Sequence, residues 1–125
     1  MDRILLAFDG SPSAWEGLDK AAHLVQLSGA ALGVVYVAPA PGLDEEADPL
    51  SAARLALQVR GIEVTTFAAF GEPVEQIRRL ALDGDFDTII LGSRPRGSLR
   101  RLVDGSISLR LAADAPVTVI VARSD

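Results

Sequence analysis

Apolar residues in this chain fall into short, nearly continuous runs that alternate with longer stretches where they recur every three or four positions. Residues 4–8 (Ile-Leu-Leu-Ala-Phe), 32–37, 62–67, 88–91 and 117–121 are rich in Val, Ile, Leu and Thr and are bounded by Gly, Pro, Ser or Asp. Runs of this kind suit strands covered on both faces. Between the first two, Ala14, Leu18, Ala21, Ala22 and Val25 share one helical face, while Glu16, Lys20 and His23 lie opposite. Ser11 is placed to cap that helix, Pro12 to open it, and Ser28-Gly29 to close it. A second helix is predicted over about 49–60. A third runs from Gly71-Glu72-Pro73 to Asp83-Gly84, with Val74, Ile77 and Ala81 inward, and a fourth covers about 105–113. Residues 38–48 hold Pro39, Pro41, Gly42 and the acidic Asp44-Glu45-Glu46, and read as a surface loop.

Alternating strands and helices with short connections predict an α/β fold, a doubly wound five-stranded parallel sheet with helices on both faces. Two strand orders fit the pattern, 3-2-1-4-5 and 2-1-3-4-5, and they place the ligand crevice at different switch points. A glycine-rich loop after the fourth strand favours 3-2-1-4-5. The crevice then opens between strands one and four, where the turn Asp9-Gly10-Ser11 meets residues 92–106.

The 125 residues suffice for one domain, residues 1–125, with no internal repeat or linker. Hydrophobic residues make up 49% with few aromatics, so the expected core is Ala, Val, Leu and Ile. No apolar run approaches the roughly 20 residues that span a bilayer, so no membrane partner is expected. The chain enters a strand at once and lacks cysteine, which points to a cytoplasmic protein without disulfides or thiolate chemistry. A net charge of −5 argues against nucleic-acid binding. Yet Arg94, Arg96, Arg100 and Arg101, four of the twelve basic residues, fall within eight positions. That cluster reads either as an anion site or as a solvated arginine-rich loop.

The chemistry-bearing stretch is Gly92-Ser93-Arg94-Pro95, followed by Gly105-Ser106. Glycines let backbone approach a ligand, and the N–H groups that open a helix attract anions. The spacing resembles the signature of the universal stress protein family, G-x2-G-x9-G-(S/T). Gly92, Gly105 and Ser106 match in register, while Pro95 stands at the second glycine. The opening Ile4 to Ser11, Val35-Tyr36-Val37, Gly71-Glu72-Pro73, Asp87 to Ser93 and Ala115 to Val121 are similar to that family's strands and turns. The resemblance spans residues 3 to about 122, with 38–60 shorter than usual.

This resemblance implies the adenine nucleotide alpha hydrolase-like form of the fold and an adenine nucleotide ligand, ATP or another, with or without magnesium. Adenine would meet Ala7, Asp9 and Val37. Ribose and phosphates would meet Gly92, Arg94, Gly105, Ser106 and Ile107. It also implies a homodimer paired through the last strand, 117–121, which is uncharged and forms a sheet edge. Each site residue has a structural reading too: Asp9 and Ser106 as helix openers, Val37 as core, Gly92 as a turn glycine. Pro95 removes an N–H and the freedom of φ that glycine has, and Asp104 adds negative charge. Two readings therefore stay open, a nucleotide-binding regulator and a dimeric interaction module that does not bind ATP. A flavodoxin-like carrier would need a hydroxyl-rich loop after strand one, and Asp9 to Ser13 matches that poorly. Catalysis has no constellation to carry it, since the single His23 faces out and no Walker-type Lys-Ser/Thr pair is present.

Overall fold

The computed structural model describes residues 1–38, 49–95, 100–103, 110–112 and 115–123. In chain order these form β1 (Arg3–Ala7), α1 (Pro12–Ser28), β2 (Ala31–Ala38), α2 (Pro49–Val59), β3 (Thr65–Phe70), α3 (Pro73–Asp83) and β4 (Thr88–Gly92). They continue with α4 (Arg100–Val103), a small pair β5 (Arg110–Ala112) and β6 (Ala115–Pro116), and β7 (Thr118–Ala122). The main sheet is parallel, in the order β3-β2-β1-β4-β7. With the β5–β6 pair set apart, this is the expected order 3-2-1-4-5.

Strand alternation divides the core in two. Ile4, Leu6 and Phe8 of the first run face α1 and α2, together with Leu18, Ala21, Ala53 and Leu57. Leu5 and Ala7 face the other way, toward Val74, Ile77 and Ala81 of α3. Val103 of α4 packs against that second layer. Two helices on one side and α3 with α4 on the other is what right-handed crossovers require when the strand order reverses at β1.

Local signals account for most boundaries. Pro12 opens α1, and Gly29, at φ 75°, closes it with its N–H on Val25 O. Glu72 caps α3 by accepting from the N–H of Glu75. Ser11 occupies the capping position of α1, but its hydroxyl makes no capping bond.

Two expectations are corrected. Strand three begins at Thr65, not Ile62. Gly61 takes φ 75°, and the N–H groups of Gly61 and Ile62 bond to Gln58 O and Leu57 O, so these residues finish α2. Ile62 is buried in the layer that holds Leu57, so its apolar character serves the helix end. The helix expected over 105–113 does not cover 110–112, which pair antiparallel with Ala115–Pro116. Arg-Leu-Ala is too short to carry a helical period of its own, and the antiparallel pairing decides its conformation. The remaining residues of that prediction lie outside the described part.

Candidate functional site

Register places the expected residues. Ala7 pairs with Val35, and Phe8 N–H donates to Val35 O at 2.9 Å, so the β1–β2 ladder runs past the strand end. Continued by two residues, the same register brings Asp9 level with Val37. On the other side, Leu6 pairs with Ile90, so Phe8 comes level with Gly92. Ala7 and Val37 both pack on the α3 side of the sheet. Ala7, Asp9, Val37 and Gly92 therefore meet at one carboxyl end, at the reversal of strand order. Gly105, Ser106 and Ile107 lie outside the described residues, as do Asp104, Arg96 and Gly97.

The turn after β1 is built by Asp9 and Gly10. Asp9 Oδ1 accepts from the N–H of Ser11 at 2.9 Å, and Gly10 takes φ 79°. This closes the chain sharply into α1, whose first helical bond runs from Ala14 N–H to Ser11 O at 3.0 Å. A Cβ on Gly10 would lie 3.6 Å from Pro49, so the start of α2 sits over this turn. Asp9 thus orders its own turn, and it remains half-buried at the crevice.

Gly92 has a packing role that its sequence did not show. Its φ is not positive; instead a Cβ there would stand 2.3 Å from the carbonyl oxygen of Ser13 and 2.6 Å from its Oγ. The first turn of α1 lies directly against the end of β4. Gly17 supports the same approach, since a Cβ there would be 3.4 Å from the amide nitrogen of Gly92. Beyond this contact the N–H of Arg94 donates to Ser13 Oγ at 3.1 Å, and Ser13 Oγ stands 3.4 Å from Ser11 Oγ. Ser11 is 4% exposed, and Pro95 is buried. The side chains of Arg94 and Arg100 are exposed.

Ser13 is the residue that sequence reasoning missed. Its only signal was the Ser-Pro-Ser spacing beside Asp9-Gly10, which does not reveal a partner 81 positions away.

Other titratable groups fall elsewhere. His23 is exposed on α1. Asp87 sits at the opposite, amino end of the sheet, where its carboxylate accepts from Asp2 N–H (2.7 Å), Arg3 N–H (3.3 Å) and the Thr88 hydroxyl (2.8 Å). Partial burial alone would raise its pKa, but those hydrogen bonds outweigh it and hold the carboxyl below the ordinary aspartate value. An open depression of about 1070 Å³ also lies at that end, between the carboxyl ends of α1 and α2, with Gln58, Arg60 and Glu63 on its wall. Among the described residues no group of three His, Asp or Glu side chains is placed to hold a metal ion, and no helix is long and apolar enough to cross a membrane.

Both sequence and fold have counterparts among known proteins. The model of the universal stress protein family matches residues 1–123. The chain belongs to the universal stress protein family. It is 31% identical to a universal stress protein of Thermus aquaticus over 134 residues, covering 96% of this chain and 97% of the relative. It is 26% identical over 147 residues to the universal stress protein YxiE of Bacillus subtilis, covering 98% and 99%. Among solved structures, the universal stress protein of Archaeoglobus fulgidus in complex with dAMP superposes with a TM-score of 0.73 at 26% identity, covering 98% of both chains. A universal stress protein in complex with cAMP shares the fold, with a TM-score of 0.71 at 19% identity and coverage of 97% and 95%.

Proposed function

We propose that this universal stress protein is a cytoplasmic, non-catalytic regulator, one domain over residues 1–125, that binds an adenine nucleotide in the crevice between β1 and β4. The observation that carries this reading is the strand register, which brings Ala7 and Val37, on one side of the sheet, to the same strand ends as Asp9 and Gly92. Val37 and Ala7 offer an apolar floor for a purine, and the Asp9 carboxylate accepts from its amino group. Arg94, with Gly105, Ser106 and Ile107 beyond it, carries the ribose and phosphate contacts. The A. fulgidus relative solved with dAMP supports the choice of adenine nucleotide.

A second reading has its own observation. Arg94 spends its N–H on Ser13, and Pro95 has none to offer. A chain built that way could be an interaction module whose crevice takes no ATP. Calorimetry with ATP, ADP and AMP, each with and without magnesium, decides between them. Micromolar binding of any one supports the regulator, and millimolar or absent binding of all three leaves the interaction module.

In either reading the protein pairs as a homodimer through β7, which borders β4 on one side and is one of the two edge strands of the described sheet. Val119, Ile120 and Val121 are only partly buried, and no charge or proline interrupts residues 118–122. Sedimentation should show a dimer at micromolar concentration and a monomer for a folded Val119→Pro. A native monomer overturns the dimer.

A further inference from the structure

In the nucleotide reading proposed above, a phosphate tail extends toward Arg94 and Pro95, just beyond β4. Those residues are fastened to α1. Arg94 N–H is held by Ser13 Oγ at 3.1 Å, and the next residue, the buried Pro95, has no N–H. The Ser13 carbonyl lies against Gly92, and its hydroxyl is 3.4 Å from Ser11 Oγ. Two consecutive backbone donors are thus withheld from the space after β4.

We infer that Ser13 is a positioning residue that ties the loop after β4 to α1, and that the crevice is thereby suited to an adenine nucleotide with one phosphate in preference to a triphosphate. This rests on the nucleotide reading above and narrows its ligand class. A single phosphate brings roughly 1.5–2 negative charges, which the exposed Arg94 guanidinium can meet with a charge-assisted contact. Each further phosphate adds acceptor oxygens and charge that two missing N–H groups would have answered.

Calorimetry with AMP and ATP, on the native protein and on Ser13→Ala, Ser13→Thr and Pro95→Gly, tests this, together with amide hydrogen exchange at Arg94. The native protein should bind AMP at least as tightly as ATP. Ser13→Ala should raise the ATP-to-AMP affinity ratio about tenfold, as expected for one new hydrogen bond to a charged group. Pro95→Gly, by returning the other donor, should move the ratio the same way. Ser13→Thr keeps the hydroxyl and should keep the native ratio. The Arg94 amide should exchange at least tenfold faster in Ser13→Ala while the Tm stays close to native. ATP binding more than tenfold tighter than AMP in the native protein, or a ratio unmoved by both Ser13→Ala and Pro95→Gly, overturns the inference and leaves the nucleotide reading standing. Failure of both ligands to bind the native protein overturns the nucleotide reading, and the inference with it.

Discussion

At the amino end of the sheet, Asp87 gathers two backbone N–H groups and a hydroxyl, while Arg3 lies 4.9 Å over the ring of Phe86 and donates its Nε–H to Gly84 O. At the carboxyl end the tightest approach involves no charge: it is the backbone of Gly92 against the backbone of Ser13. The amino end is secured by side chains that can adjust, and the carboxyl end by main chain that cannot. Rigid support beneath half-buried polar groups is what a binding crevice needs, since groups held in place need not be ordered again by the ligand.

Substituting a glycine at each end gives the sharpest contrast. Gly92→Ala places a Cβ within 2.3 Å of a carbonyl oxygen, and relief requires α1 to move away from β4. Thermal denaturation should show a loss of about 3 kcal/mol or more. Gly33→Ala, toward the other end, meets the rings of Phe67 and Phe86 at 2.9 Å. Those rings form an edge-to-face pair at 6.1 Å and can tilt together, so the expected loss is smaller, about 1–2 kcal/mol. Equal losses for the two variants would erase the distinction between a rigid end and an adjustable one.

Asp87→Ala gives the smallest effect, about 1 kcal/mol at neutral pH, because the carboxylate is only partly buried and each hydrogen bond has a modest net value. Its pH dependence is more telling. The folded-state pKa lies below the unfolded one, so the stabilisation is complete above the ordinary aspartate range. It fades as pH falls through the lower, folded value. Denaturant titrations should therefore find the native protein and Asp87→Ala converging in acid. A gap that persists unchanged below pH 3 or so would mean that the amino end is not held by this carboxylate.

The strand order was legible because unbroken apolar runs and one glycine-rich loop are local properties. The limits of α1 followed from Pro12 and Gly29 for the same reason. Strand three was displaced by three residues because Ile62 could serve a strand or a helix end, and only the bonds to α2 choose between them. Residues 110–112 were ambiguous between helix and strand, since so short a run carries no decisive period. The common strand ends of Asp9, Val37 and Gly92 were legible from the alternation of elements, but the packing of Gly92 against Ser13 was not, because it depends on a helix that begins eighty residues earlier in the chain. Ser13 was hidden for that same reason.

The clamp between Arg3 and Asp87 joins groups 84 positions apart, while β1, β2 and β3 are neighbours in both sequence and space. Contacts this distant carry a large loop-closure entropy and form slowly. A chain emerging from the ribosome can therefore assemble β1, β2 and β3 with their helices well before β4 has been synthesised. The crevice lies on the seam where the early half meets the late one. Its completion requires β4 to have joined β1, so a ligand bound there would select for molecules whose two halves have met over those that hold only β1, β2 and β3.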